Sequence, residues 1–335
     1  MKTKAVALLS GGLDSTLAVK VMLDQGIDVY CLNFISPFCR CTSQRKGCVS
    51  EAKKVAENFG IEIKVIPVGT EYIDIVRNPK YGYGRNLNPC VDCRIFMHKI
   101  AKEYMHQIGA SFIITGEVLA QRPMSQRRDT LRVIERESGL TGYVLRPLSA
   151  KLFEPTIPEK EGLVDREKLL RISGRSRKEQ IALARELNVD DYPCPAGGCL
   201  LTDVNFVRRL KDLFEHQDKV TINDINLLKI GRHFRISPAA KFITGRMETE
   251  NSLLTSLAKP SDFLFTARDY KGPVGLLRGE GSEEIVRLGA QINARYCDAE
   301  GEILMLYWEK DSNKSPKKEI IVSSLNDVLV REYML

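Results

Sequence analysis

Two groups of side chains in this sequence have the types and spacing to do chemistry. The first is Ser10-Gly11-Gly12-Leu13-Asp14-Ser15. Its glycines let backbone come close to an anion, its hydroxyls can hydrogen-bond one, and its carboxylate can hold a cation beside it. The second group is thiols. Cys90 and Cys93 form a CxxC pair, and Cys199 closes a Gly-Gly-Cys segment far along the chain. Thiolates serve as nucleophiles, metal ligands and partners in disulfide exchange. Cys39, Cys41 and Cys48 lie within ten residues of one another, a spacing open to metal or redox use and equally to plain thiols in a loop.

These residues need elements to hold them. Ala5 to Leu9 is an apolar run that reads as a buried strand, and Leu17, Val21 and Met22 suit the buried face of a following helix. A strand, a glycine turn and a helix N-terminus make an anion site, because the first-turn N–H groups point outward. No Gly-Lys-Ser/Thr follows, so this is not a Walker A loop. Further strands are expected at 27–34, 61–68, 111–116 and 143–148, with helices at 48–59 and 91–108. That alternation predicts an α/β fold, a parallel sheet with helices on both faces. Ligands sit beyond the C-terminal ends of such strands, where Ser10 to Ser15, Phe34 and Gly116 would meet. Cys90 opens a helix, a position expected to lower a thiol pKa.

The loop carries the full SGGxDS motif and resembles the pyrophosphate (PP) loop of the N-type ATP pyrophosphatases. The resemblance implies an adenine nucleotide alpha hydrolase-like fold and cleavage of ATP between its α and β phosphates. Ser10, Gly11, Gly12 and Ser15 would hold phosphate, and Asp14 would help hold Mg2+. Phe34 or Asn33 would line an adenine pocket, unless they only begin a loop. Asn88-Pro89-Cys90-Val91-Asp92-Cys93 resembles the NPDxxCN-type motif of tRNA 2-thiouridylases, with Cys90 where many of them carry Asp and Arg94 where they carry Asn. The first departure matches relatives that hold an iron–sulfur cluster. Thr115 to Gln126 resembles the TGExLxQxxSQ segment of 4-thiouridine synthetases, which implies that Gly116, Glu117 and Gln121 position nucleotide or uridine. Gly197-Gly198-Cys199 resembles the third-cysteine segment of 2-thiouridylases, with Cys194 as an extra thiol.

What these resemblances imply is an ATP-dependent tRNA sulfurtransferase. It would adenylate a uridine carbonyl oxygen, release pyrophosphate and replace AMP by sulfur, with Asp14, Cys93 and Cys199 catalytic. Cys90, Cys93 and Cys199 would hold a 4Fe–4S cluster, or Cys199 would carry a persulfide that Cys93 resolves. A sulfur donor is required in either case. The segments mix two families, so C2 and C4 of the uridine both stay open.

Charge and composition divide the chain. Of 50 Lys and Arg, 30 fall in residues 1–202 against 23 Asp and Glu, whereas 203–335 balances at 20 and 20. A first domain at 1–202 and a second, α+β domain at 203–335 are expected. Within the second, Leu227 to Arg235 and Lys241 to Arg246 resemble the RNA-binding domain of the NFACT ribosome-quality-control proteins. Phe234, Phe242 and His233 interleave with the basic residues there, a mix that suits phosphate binding and base stacking. Arg122, Arg127, Arg128, Arg132 and Arg136 form another basic stretch, suited to a phosphate-rich substrate. No apolar run approaches the length of a membrane span, no signal peptide precedes the first strand, and the cysteine usage suits a reducing cytoplasm. Two other readings compete: a sulfurtransferase or amidating enzyme with a non-RNA acceptor, and a non-catalytic RNA- or ribosome-associated protein.

Overall fold

A computed structural model describes residues 2–40, 48–189, 198–310 and 317–335. Cys41, the Cys48 side chain and Cys194 lie outside the described residues. The chain divides into two compact units, Met1–Thr202 and Asp203–Leu335. Elements are numbered in chain order.

The first unit contains β1 (Lys4–Leu8), α1 (Leu13–Leu23), β2 (Asp28–Ile35), α2 (Cys48–Phe59), β3 (Ile63–Pro67), α3 (Thr70–Arg77), α4 (Cys90–Ile108), β4 (Phe112–Thr115), α5 (Arg128–Ser138), β5 (Val144–Leu145), α6 (Ile157–Lys160) and α7 (Lys178–Glu186). Its five strands are all parallel, in the order β3-β2-β1-β4-β5. The central strands are apolar throughout because helices bury both faces. Ala5, Ala7, Phe112 and Ile114 pack toward α1, while Val6 and Ile113 pack toward Tyr104 and Met105 of α4. Strand order reverses direction between β1 and β4, and the crevice beyond their C-terminal ends is where such sheets bind ligands.

The second unit contains α8 (Val204–His216), α9 (Ile222–Leu227), β6 (Arg232–Ser237), β7 (Ala240–Thr244), α10 (Glu248–Leu257), β8 (Phe263–Ala267), β9 (Gly275–Gly279), α11 (Glu283–Ala294), β10 (Glu302–Glu309), β11 (Lys318–Ser323) and α12 (Asp327–Tyr333). It is an antiparallel six-stranded sheet, β11-β10-β8-β9-β7-β6. Here the structure corrects the base-stacking expectation. Phe234, Phe242 and His233 are buried, and the Phe242 and Phe265 rings meet edge to face at 5.4 Å. Strand β7 is buried along its whole length, Lys241 included, so these aromatic and basic residues lie inside the domain. The cations are engaged as well. Arg235 and Lys241 bind Asp212 at 2.8 and 2.9 Å, and Arg246 binds Glu250 at 2.5 Å.

A second buried carboxylate, Asp224, ties α9 to the sheet. It accepts from Lys259 and Arg278 at 2.7 Å each, and from the Thr221 hydroxyl at 2.6 Å. Burial alone would raise its pKa; the Lys259 and Thr221 hydrogen bonds outweigh that and bring it to about 2. A depressed carboxylate stabilises the fold above its unfolded pKa, and that contribution is lost as pH falls through the folded value. Asp224→Asn is therefore expected to lose roughly 3 kcal/mol at neutral pH. Urea unfolding should show the gap to wild type closing as pH drops from about 4 toward 2.

Candidate functional site

The loop between β1 and α1 is shaped by two hydroxyls and one glycine. Ser15 Oγ donates to the Gly12 carbonyl at 2.9 Å, lies 3.0 Å from Ser10 Oγ, and accepts from the Ser10 N–H at 3.3 Å. Gly11 has a φ of +77°, and a Cβ there would stand 2.7 Å from the Ala52 nitrogen. Helix α1 closes its first bond from Thr16 N–H to the Gly12 carbonyl. The N–H groups of Leu13, Asp14 and Ser15 thus have no acceptor within the helix, and together with the helix dipole they favour an anion.

The segment after β4 closes on this loop. A Cβ on Gly116 would lie 2.5 Å from both the N and Cα of Ser15. Gln121 Nε2 donates to Asp14 Oδ2 at 3.1 Å, while Asp14 Oδ1 is buried with no partner. A buried, unpaired carboxylate oxygen beside an anion site fits a hard cation such as Mg2+. Asn33 donates to the Leu9 carbonyl at 2.8 Å, and its own Oδ1 is also buried and unpaired. Phe34, by contrast, points the other way, into the apolar cluster that α4 covers.

Glu117 is buried at 2% exposure; its Oε2 accepts hydrogen bonds, while Oε1 has an ion-pair neighbour in Arg94 and no hydrogen-bond partner. Arg146 Nε donates to it at 3.2 Å, and Arg94 Nε stands 3.6 Å away. Burial would raise its pKa, but Arg146 and Arg94 overcome that and hold it below the usual carboxylate range. Arg146 also bonds Glu135 at 2.5 Å. Glu117 therefore braces the crevice from behind. Arg146 and Tyr72 were missed in the sequence because neither belongs to a contiguous motif.

The thiols gather at the same edge. Arg94, which faces Glu117, also acts electrostatically on Cys90 and Cys93, and Arg122, next to Gln121, acts on Cys90. The Tyr72 hydroxyl hydrogen-bonds Cys93, and Cys199 feels Cys93, Cys90 and Cys39. Cys90, Cys93 and Cys199 thus influence one another electrostatically, and Arg94 acts on both members of the CxxC pair. The expected lowering of the thiol pKa at the start of α4 is overturned. Burial raises both Cys90 and Cys93 despite the nearby arginines, and pushes Cys199 up to about 12. Desolvation of a thiolate outweighs the helix end.

Two family models match the chain. Residues 1–152 match the thiamine biosynthesis protein (ThiI), and residues 231–334 match the NFACT protein RNA binding domain. The first unit is thus similar to PP-loop thiouridylases and the second to NFACT RNA-binding domains. Among its relatives, the tRNA-specific 2-thiouridylase MnmA of Marinobacter nauticus is 23% identical over 91% of this chain and 82% of its own length. A probable tRNA sulfurtransferase of Methanosarcina acetivorans is 32% identical over 35% of this chain and 28% of its own. A solved 4-thiouridine synthetase–RNA complex with bound ATP is 25% identical, with 56% of this chain and 52% of that one covered, at a TM-score of 0.35. Apart from the Marinobacter protein, the chain spans less than two-thirds of the length of these relatives.

The thiols of this thiouridylase-like unit are of the right class to ligate iron. Among the described residues, however, no three or more Cys, His, Asp or Glu side chains are gathered closely enough to hold a metal ion. The loop makes a sharper test. Gly116→Ala forces a methyl into the Ser15 backbone, at a cost of roughly 1–3 kcal/mol. ATP affinity measured by calorimetry is expected to fall at least tenfold, with only a modest drop in Tm.

Proposed function

We propose that the protein is an ATP-dependent tRNA sulfurtransferase that converts uridine to thiouridine. The observation that supports this best is the meeting of the loop and the thiols through shared neighbours. Gly116 packs on Ser15 and is followed by Glu117, which binds Arg94 beside Cys90 and Cys93; Gln121 binds Asp14 and is followed by Arg122, which acts on Cys90.

In this reading, ATP phosphates lie against the N–H groups of Leu13 to Ser15, with Ser10 and Ser15 as hydroxyl donors. Asp14 Oδ1 would hold Mg2+, which would neutralise phosphate charge. Asn33 Oδ1 is an acceptor suited to the adenine amino group. A uridine carbonyl oxygen attacks the α phosphorus and pyrophosphate leaves. The oxygen has then become part of AMP, a good leaving group, whereas oxide is a poor one. Sulfur handled by Cys93 and Cys199 displaces it. The NFACT-type domain and the exposed Arg122, Arg127 and Arg128 would bind the tRNA backbone, so binding should weaken with salt.

A 4Fe–4S cluster on Cys90, Cys93 and Cys199 is a second reading of the sulfur step. It is favoured by Cys90, which a persulfide route leaves without a task. When bound, the cluster would present sulfide to the activated carbon. Anaerobic purification followed by iron analysis separates the two routes. Iron that disappears in Cys90→Ser would establish the cluster, and iron-free protein that still thiolates would exclude it.

The function itself is tested by mass spectrometry of nucleosides from tRNA incubated with protein, ATP and a sulfide or persulfide source. Thiouridine is expected from wild type. Asp14→Ala should lose pyrophosphate release and thiouridine together, by at least a hundredfold. Cys199→Ser should retain tRNA-dependent pyrophosphate release while making no thiouridine. Wild-type protein that releases pyrophosphate with a small acceptor and not with tRNA would overturn the assignment.

A further inference from the structure

Cys39 belongs to no motif that matches a sulfurtransferase segment, yet the fold sets it directly against Cys199. The two residues form an antiparallel bridge between the stretch that follows β2 and the residues around Cys199. Leu200 N–H donates to the Phe38 carbonyl at 2.9 Å. That bond joins the residue before Cys39 to the residue after Cys199, so Cys39 and Cys199 themselves are a non-hydrogen-bonded pair. In such pairs the Cα atoms stand about 4.5 Å apart and the side chains leave the same face. A disulfide needs a Cα separation of roughly 4.4–6.8 Å. Both residues are half-buried thiols, and Cys199 responds electrostatically to Cys39. Cys93, the alternative partner, holds a hydrogen bond from Tyr72.

Resting on the sulfurtransferase reading, we propose that Cys39 is the thiol that resolves Cys199, so that each turnover by the persulfide route ends in a Cys39–Cys199 disulfide. A persulfide-bearing carrier first loads sulfur onto Cys199. The terminal sulfur attacks the adenylated uridine carbon, AMP leaves with the bonding electron pair, and the uridine is joined to Cys199 through two sulfurs. The Cys39 thiolate then attacks Cys199 Sγ. The bond between the two bridging sulfurs breaks, its electrons go to the sulfur on uridine, and the proton lost by Cys39 ends on the ring nitrogen of thiouridine. A dithiol reductant returns Cys39 and Cys199 to thiols. The Leu201 N–H, which hydrogen-bonds Cys199, steadies charge on that sulfur whenever it leaves.

The test is a single turnover of the full-length protein with tRNA, ATP and a persulfide donor, without added reductant. Thiols are then blocked by alkylation and peptides mapped without reduction. One Cys39–Cys199 disulfide per thiouridine is the expected result. Cys39→Ser should arrest with tRNA held covalently on Cys199, seen as a slow band that dithiothreitol releases, and turnover should fall at least tenfold. Thiouridine accompanied by a Cys93–Cys199 disulfide, by no disulfide, or by full turnover in Cys39→Ser overturns the role of Cys39 and leaves the sulfurtransferase standing. Absence of thiouridine from wild type under every sulfur source overturns the underlying reading as well.

Discussion

The site depends on backbone-to-backbone packing between two strand ends. Gly116 leaves β4 against the first turn of α1, where a methyl group would collide with Ser15. Parallel pairing of β1 with β4 sets this approach, because Leu8 is in register with Thr115 and both strands reach the same edge together. The N–H groups of the loop then face a crevice in which Gln121 reaches Asp14, with Glu117 buried behind. An anion site made of backbone can be no better placed than the strands that carry it, so the sheet core of Ala5, Ala7, Phe112 and Ile114 is part of the binding machinery.

Behind the crevice, charge does structural work. Buried Glu117 and Arg146, with partly exposed Arg94 and Glu135, form a network that ties the end of β4 to β5, α4 and α5. Such a network contributes little net stability, since desolvation offsets most of the attraction. It does fix one arrangement of charges, and Arg94 extends that arrangement to the thiols. The same burial makes the thiolate form of Cys90, Cys93 and Cys199 unfavourable.

The C-terminal domain uses its cations differently from what its sequence suggests. Arg235, Lys241, Arg246 and Arg278 all serve carboxylates inside the domain.

Much was legible because it is local. The SGGxDS loop, the CxxC pair at the start of α4, the strand–helix alternation and the break at residue 203 follow from side-chain type and short-range spacing. What could not be read depends on pairs distant in sequence. Phe234 and Phe242 alternate with basic residues in a way that fits a stacking platform as well as a core strand, and only the sheet decided for the core. Helix α5 lay hidden under an arginine-rich stretch whose apolar residues, Leu131, Val133 and Ile134, are few. Cys90 and Cys93 sit where a helix end should favour thiolate, yet tertiary burial reverses the sign. Local sequence thus determined which groups are present and which elements carry them. Their partners and protonation were decided by the tertiary fold, because desolvation and contact depend on what packs from elsewhere in the chain.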